Sequence, residues 1–225
     1  MNYNPYFASY SLWQLFSPAI AQEHWHCDRK RGYSKARKEP DIKELSKLDS
    51  IPQEIGHLAQ KGVYEFHHNP QFLSAWDGLK KILNILDISQ KSLEVQNRII
   101  SILTNYYQNP ILINKNILEL NKGDEKQGIP KPIPIKQENF IFNLFIALDC
   151  VLLEAEDTIH ILDFKTGKSK FDRRQAYVYL LAAKYLYPNK QAIASFYNLE
   201  TQTWSELISA TSTAIECVEI ELALI

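Results

Sequence analysis

Cysteine is scarce: three residues, Cys27, Cys150 and Cys217, in a chain of 225. An odd number at wide spacing makes a poor disulfide framework, and with no CxxC pair a cysteine zinc site or an iron–sulfur cluster has little support. Positive charge is not in excess either. Twenty-five Lys and Arg stand against 26 Asp and Glu, for a net charge of -1. Binding of nucleic acid by bulk charge is thereby excluded, and any DNA contact must come from local clusters. No run of about eighteen apolar residues occurs, so no membrane span is expected. The start, MNYNPYFASYSLW, lacks the basic segment and apolar stretch of a signal peptide, so a soluble, cytoplasmic protein is expected. The G-x-x-x-x-G-K-[ST] phosphate loop is missing, so ATP-driven unwinding would belong to a partner.

What is present is ordinary globular material: 45% hydrophobic and 23% charged residues. The length suits one well-buried domain over 1–225, with a mainly helical part at 1–110 and a sheet-containing part at 111–225. Pro18 opens a short expected helix through Trp25. Arg29, Lys30, Arg31, Lys35, Arg37 and Lys38 form the densest basic patch, read either as a solvated loop or as a phosphate-contacting edge. His24, His26 and Cys27 have no fourth ligand at metal spacing. A helix is expected after Ser50, with Pro52 at its first helical position, Glu54 in its first turn and Ile55, Ala59, Gly62 and Phe66 at helical spacing. Two more are expected near 71–86 and 89–107, and the stripe Val95, Ile99, Ile102, Leu103, Tyr106 reads as core. Segment 121–139, rich in Gly, Pro and charge, reads as an exposed loop.

From 140 the pattern turns to strands. ENFIFNLFIALDCVLLE and TIHILDFKTG flank a tight turn at Ala155, Glu156 and Asp157. A helix follows at 172–187, then strands in QAIASFYNL and TWSELI. The last fifteen residues fit helix or strand equally. A symmetric ladder about that turn sets Glu154 opposite Thr158 and Asp149 opposite Asp163. Opposed residues share a face with Cβ atoms about 4.5–5.5 Å apart. Lys165 shares the face of Asp163. The face of the two aspartates carries Val151, Leu153, Ile159 and Ile161, the other Cys150, Leu152, Leu162 and Phe164, so the pair should be covered on both sides. Two carboxylates there repel, and a divalent cation resolves the conflict. The plain alternative is that Lys165 pairs with one aspartate at a strand end. Gln175 and Tyr179 lie four apart on one helix face. Asp172 is placed to cap that helix, with Gln175 free to complete a capping box.

ALDCVLL, ILDFKTG and RQAYVYLLA, in this order, resemble the core of RecB-like PD-(D/E)XK nucleases. The resemblance covers residues 50–66 and 140–187, about a third of the chain. It implies an α/β, restriction-endonuclease-like core: a central mixed sheet flanked by helices, with an N-terminal helical part. It also implies a metal-dependent DNA nuclease, an exonuclease in many relatives. Asp149, Asp163 and the main-chain carbonyl of Phe164 would hold Mg²⁺ or Mn²⁺, and Lys165, Gln175 and Tyr179 would complete the catalytic set. Gly56 begins the family's G-x-x-x-H pattern, but Gln60 stands where the histidine would be; its carbonyl could still ligate a hard cation, more weakly, and complete the metal shell. Some relatives carry a four-cysteine iron–sulfur cluster; here the C-terminal cysteine group is missing and none is expected. Lys168, Lys170, Arg173 and Arg174, with Arg29, Lys30 and Arg31, are the candidate DNA contacts, and a helicase or other nucleic-acid-processing protein is the partner such a nuclease implies. A nuclease fold serving as an inactive DNA-binding or scaffold subunit is the alternative.

Overall fold

The structure is a computed structural model that describes residues 6–16, 36, 39, 40, 50–123, 132–137, 140–168 and 171–224. The basic patch at 29–31, the histidines at 24 and 26, Cys27, Lys170 and the helix expected from Pro18 lie outside these residues.

Strand β1 (Tyr6–Ala8) and helix α1 (Tyr10–Phe16) come first. Helix α2 (Ser50–His68) follows as the sequence suggests, with Ile55, Ala59 and Phe66 fully buried. The single helix expected over 71–86 is two, α3 (Gln71–Ser74) and α4 (Gly78–Ile85). The chain turns so tightly between them that a Cβ on Gly78 would stand 1.7 Å from the Phe72 carbonyl oxygen, which only glycine permits. Helix α5 (Leu93–Gln108) is capped by the Ser92 side chain, and its whole apolar stripe is core.

Strands β2 (Asn116–Leu120), β5 (Cys150–Ala155), β6 (Thr158–Lys165), β7 (Gln191–Asn198) and β8 (Thr203–Trp204) make a five-stranded sheet in the order β2-β5-β6-β7-β8. All neighbours are antiparallel except β6 and β7. That parallel pair needs a crossover, which helix α6 (Arg173–Leu186) supplies. A second sheet holds β1, β4 (Phe140–Leu144) and β3 (Ile133–Gln137) in the order β1-β4-β3. The C-terminal ambiguity resolves as helix α7 (Ser212–Ala223), capped by Thr211.

The alternation along β5 and β6 sorts two cores. Val151, Ile159 and Ile161 join Ala176, Leu180 and Ala183 of α6, Ile135 and Phe142 of the small sheet, and Val218 and Leu222 of α7. Cys150, Leu152, Leu162 and Phe164 lie instead with Ile55, Ala59 and Phe66 of α2 and Ile99, Ile102 and Leu103 of α5. The architecture is α/β with mixed sheets flanked by helices. Each fully buried Leu or Ile contributes about 1.5–3 kcal/mol, so this two-sided burial holds the central hairpin firmly.

Three strand expectations change. Segment 121–139 is not all loop: β3 alternates buried Ile133 and Ile135 with exposed Pro134 and Lys136. It lies at a sheet edge, where a proline leaves no ladder bond unmade. ENFIFNLFIALDCVLLE divides into β4 and β5, which belong to different sheets. TWSELI gives only the two-residue β8 and one isolated bridge, Ala194 to Ile208.

Candidate functional site

The site grows from the β5–β6 hairpin. Its turn is two residues, Glu156 and Asp157, with Ala155 opposite Thr158, rather than three residues with Glu154 there. A bulge between Leu153 and Ala155 absorbs the extra residue. Leu153 pairs with Ile159 and Cys150 with Leu162, where the pairing ends; Asp149 stands one residue before β5, the position a continued ladder would set opposite Asp163.

Each carboxylate is tightly held. Asp149 Oδ2 accepts from the Phe164 N–H at 2.9 Å and Oδ1 from Gln60 Nε2 at 3.0 Å. The same Gln60 nitrogen donates to the Asn121 carbonyl at 3.3 Å. Both neighbours of that amide are acceptors, so its NH₂ end faces them and its carbonyl does not face Asp149. In an extended strand a residue's N–H and C=O leave the chain on the same side. The Phe164 carbonyl therefore points to the β5 side, as its N–H does.

Asp163 Oδ1 accepts from the Tyr179 hydroxyl and from Gln175 Nε2, the latter at 3.2 Å. Gln175 Nε2 also donates to the Tyr179 oxygen at 2.5 Å, while its Oε1 accepts from Lys165 Nζ at 2.9 Å. Lys165 Nζ lies 2.6 Å from Asp163 Oδ2. That contact is an ion pair without aligned hydrogen-bond geometry, and Oδ2, a buried atom, has no other partner. Gln175 is thus committed to the site rather than to a capping box. Asp172 caps α6 alone, accepting from Arg174 N at 3.0 Å.

The electrostatics follow from burial. Asp163 is 2% exposed. Burial first, and repulsion from Asp163 second, push the Asp149 carboxyl up to about 7, against the opposing pull of the Phe164 N–H, Lys165 and Gln60. Burial and the neighbouring Asp163 charge raise the Tyr179 hydroxyl well above its ordinary value, so it stays a donor. Two carboxylates against one ammonium leave a negative excess. The lone Asp163 Oδ2, Asp149 and the Phe164 carbonyl are hard oxygen donors, the set that Mg²⁺ and Mn²⁺ prefer. The residues present therefore fit such an ion, with Gln60 better placed to orient Asp149 than to ligate. Among the described residues no group of three or more His, Cys, Asp or Glu gathers at metal spacing.

The basic candidates divide. Lys168 is exposed just past β6. Arg173 reaches Glu206 at 3.2 Å on the surface. Arg174 does not face solvent: it is 7% exposed and grips Asp172 from Nε (3.1 and 3.2 Å) and Nη2 (2.8 Å). Its position in a first helical turn, unfavourable to the helix dipole, is offset by the capping carboxylate it holds. Burial would raise the Asp172 carboxyl, but Arg174 and the Tyr10 hydroxyl, 2.5 Å away, hold it below the usual range. Asp172→Ala removes a cap and strands a buried guanidinium. We expect a loss of about 3 kcal/mol, read as a lower urea midpoint at unchanged slope. A loss below about 1 kcal/mol would show that the clamp adds nothing beyond the cap.

Sequence reasoning missed two features beside the site. Asn121 and Gly123 follow β2 and lie on Gln60; a Cβ on Gly123 would come within 2.7 Å of the Gln60 side-chain oxygen. Glu200 reaches Gly167 and Arg98 from the turn after β7. Nothing local signals either, since the partners lie 61 and 102 residues apart. Farther along the same strands, buried His160 bridges Glu154 (3.0 Å) and Ser195 (2.7 Å), a satisfied polar network across three strands. No helix among the described residues is long and apolar enough to cross a membrane. No protein-family model matches the chain, and a search of curated proteins finds no relative.

Proposed function

We propose that the chain is a metal-dependent DNA nuclease with a restriction-endonuclease-like core, acting as an exonuclease. The observation that carries the reading is the convergence of Asp149, Asp163 and Lys165 beside a buried carboxylate oxygen with no hydrogen-bond donor of its own. The element order is also in keeping with it: helix α2, strands β2, β5 and β6, helix α6, then β7 parallel to β6.

Asp149, Asp163 and the Phe164 carbonyl would hold Mg²⁺ or Mn²⁺. Such an ion supplies Lewis acidity, polarising the phosphoryl group and making water a usable nucleophile near neutral pH. Tyr179 and Gln175 occupy Asp163 Oδ1 and so leave Oδ2 for the cation. Phe164 N–H and Gln60 hold Asp149 in one rotamer. Lys165 has three N–H donors and gives one to Gln175, while its charge pairs with Asp163. The remaining donors are available to orient the attacking water and to stabilise charge on the phosphate oxygens. The water oxygen bonds to phosphorus as one P–O ester bond breaks, leaving a phosphate monoester and a hydroxyl end.

The test is labelled single- and double-stranded DNA with Mg²⁺, Mn²⁺ or EDTA, beside Lys165→Ala. We expect metal-dependent cleavage that falls by about 10²–10³-fold in the variant, with the product ladder separating exo from endo action. Wild-type rates in Lys165→Ala would remove the site assignment. One observation favours a second reading, a nuclease-fold scaffold subunit: Gln60 presents NH₂ to Asp149 where many of the nucleases it resembles carry a ligating histidine. DNA binding without cleavage under any metal would select it.

A further inference from the structure

The turn after β7 places a carboxylate where three N–H donors converge. Arg98 of α5 donates from Nε at 3.0 Å and from Nη2 at 2.8 Å to the two oxygens of Glu200. The Gly167 N–H adds a third bond at 2.7 Å. Gly167 has φ +80°, a left-handed conformation that turns its N–H out toward this point. The Asn198 amide fixes the Gly167 carbonyl at 2.7 Å and accepts from the Glu200 and Thr201 N–H groups, so the donors are set by the fold. Exposed Lys168 is near enough that its charge acts on Glu200.

A guanidinium fork and a backbone N–H on one point, with the charge of Lys168 acting on it, make a seat for a tetrahedral oxyanion, since Arg matches phosphate as well as carboxylate in bidentate geometry. The seat begins two residues beyond Lys165, and the Leu199 N–H bonds the Lys165 carbonyl at 2.8 Å. It therefore lies on the same strand end as the proposed scissile position. Arg98 and Glu200 keep 28% and 29% of their side-chain surface exposed. That exposure leaves the pair open to solvent and within reach of an incoming anion.

We propose that Arg98, the Gly167 N–H and Lys168 bind a DNA backbone phosphate next to the scissile one, and that Glu200 is a built-in anion which the strand displaces. The assignment rests on the nuclease reading for its ligand, but its test needs no cleavage. Fluorescein-labelled 20-nucleotide single strands and duplexes are titrated in EDTA across 50–200 mM salt. E200Q removes the competing charge and should tighten binding several-fold at low salt, with a log–log salt slope steeper by about one charge. E156Q carries the same change in net charge at the far end of the hairpin and should bind like wild type. R98Q added to E200Q should erase the gain. A non-catalytic scaffold would still show all three results. Equal gains in E200Q and E156Q, unchanged or weaker binding by E200Q, or no binding by any form would overturn the seat, whatever the cleavage assay with metal shows.

Discussion

Replacing Asp163 by asparagine is expected to lower the proposed metal-dependent cleavage by about 10³-fold or more and to abolish the rise in Tm expected of the wild type with Mn²⁺. The amide oxygen that D163N introduces still accepts from Tyr179 and Gln175, so the change is local. What is lost is the anionic oxygen beside Lys165. In its place stands an NH₂ group facing an ammonium, donor against donor, at a cost of about 1–3 kcal/mol. For the wild type, an ion at a hundred times its Kd adds about 2.7 kcal/mol of stability by mass action. Thermal melts with Mn²⁺ or EDTA read this directly. A Mn²⁺-dependent Tm shift that survives in Asp163→Asn would place the ion elsewhere.

Asp149→Asn acts on the metal-free protein, and its effect grows with pH. The folded-state value of Asp149, about 7, lies above the ordinary 3.8. The folded chain therefore keeps a proton that the unfolded chain has released, and stability falls as pH rises between those values, by about 1.4 kcal/mol per unit. Burial acts oppositely on His67, lowering it to about 4, so its contribution rises with pH between about 4 and 6.5. The two slopes have opposite sign in the wild type, so a single pH–stability curve does not separate them. The difference between variant and wild type isolates Asp149. In EDTA the two should unfold at similar urea concentrations near pH 4. The variant should then gain steadily, and lead by a few kcal/mol at pH 8, with the lead constant above about pH 7. A difference independent of pH would mean that Asp149 is ionised throughout.

These expectations rest on a hairpin whose register was legible in the residues. The alternation in CVLLE and TIHILDFK names both buried faces, and the aspartate pair follows from counting along the strands. The turn length was off by one, yet the bulge at Glu154 restored the same pairing. The i, i+4 pair on α6 was legible because helix geometry is local. Arg174 was not, because its burial depends on Asp172 turning back to cap the helix and on Tyr10, 162 residues away. Strand β3 was hidden by the glycines and prolines that precede its two buried isoleucines. The Glu200 turn was invisible for the reason that Gln60's neighbours were: such contacts exist only once the chain is folded.

The bulge at Glu154 also acts as a register buffer. It lets the tip at Glu156 and Asp157 gain or lose a residue while the pairing from Leu153 to Cys150 stays in step. Six residues of β5, about 20 Å of extended chain, separate that tip from Asp149. A change of one residue at the tip is therefore expected to leave the two aspartates aligned.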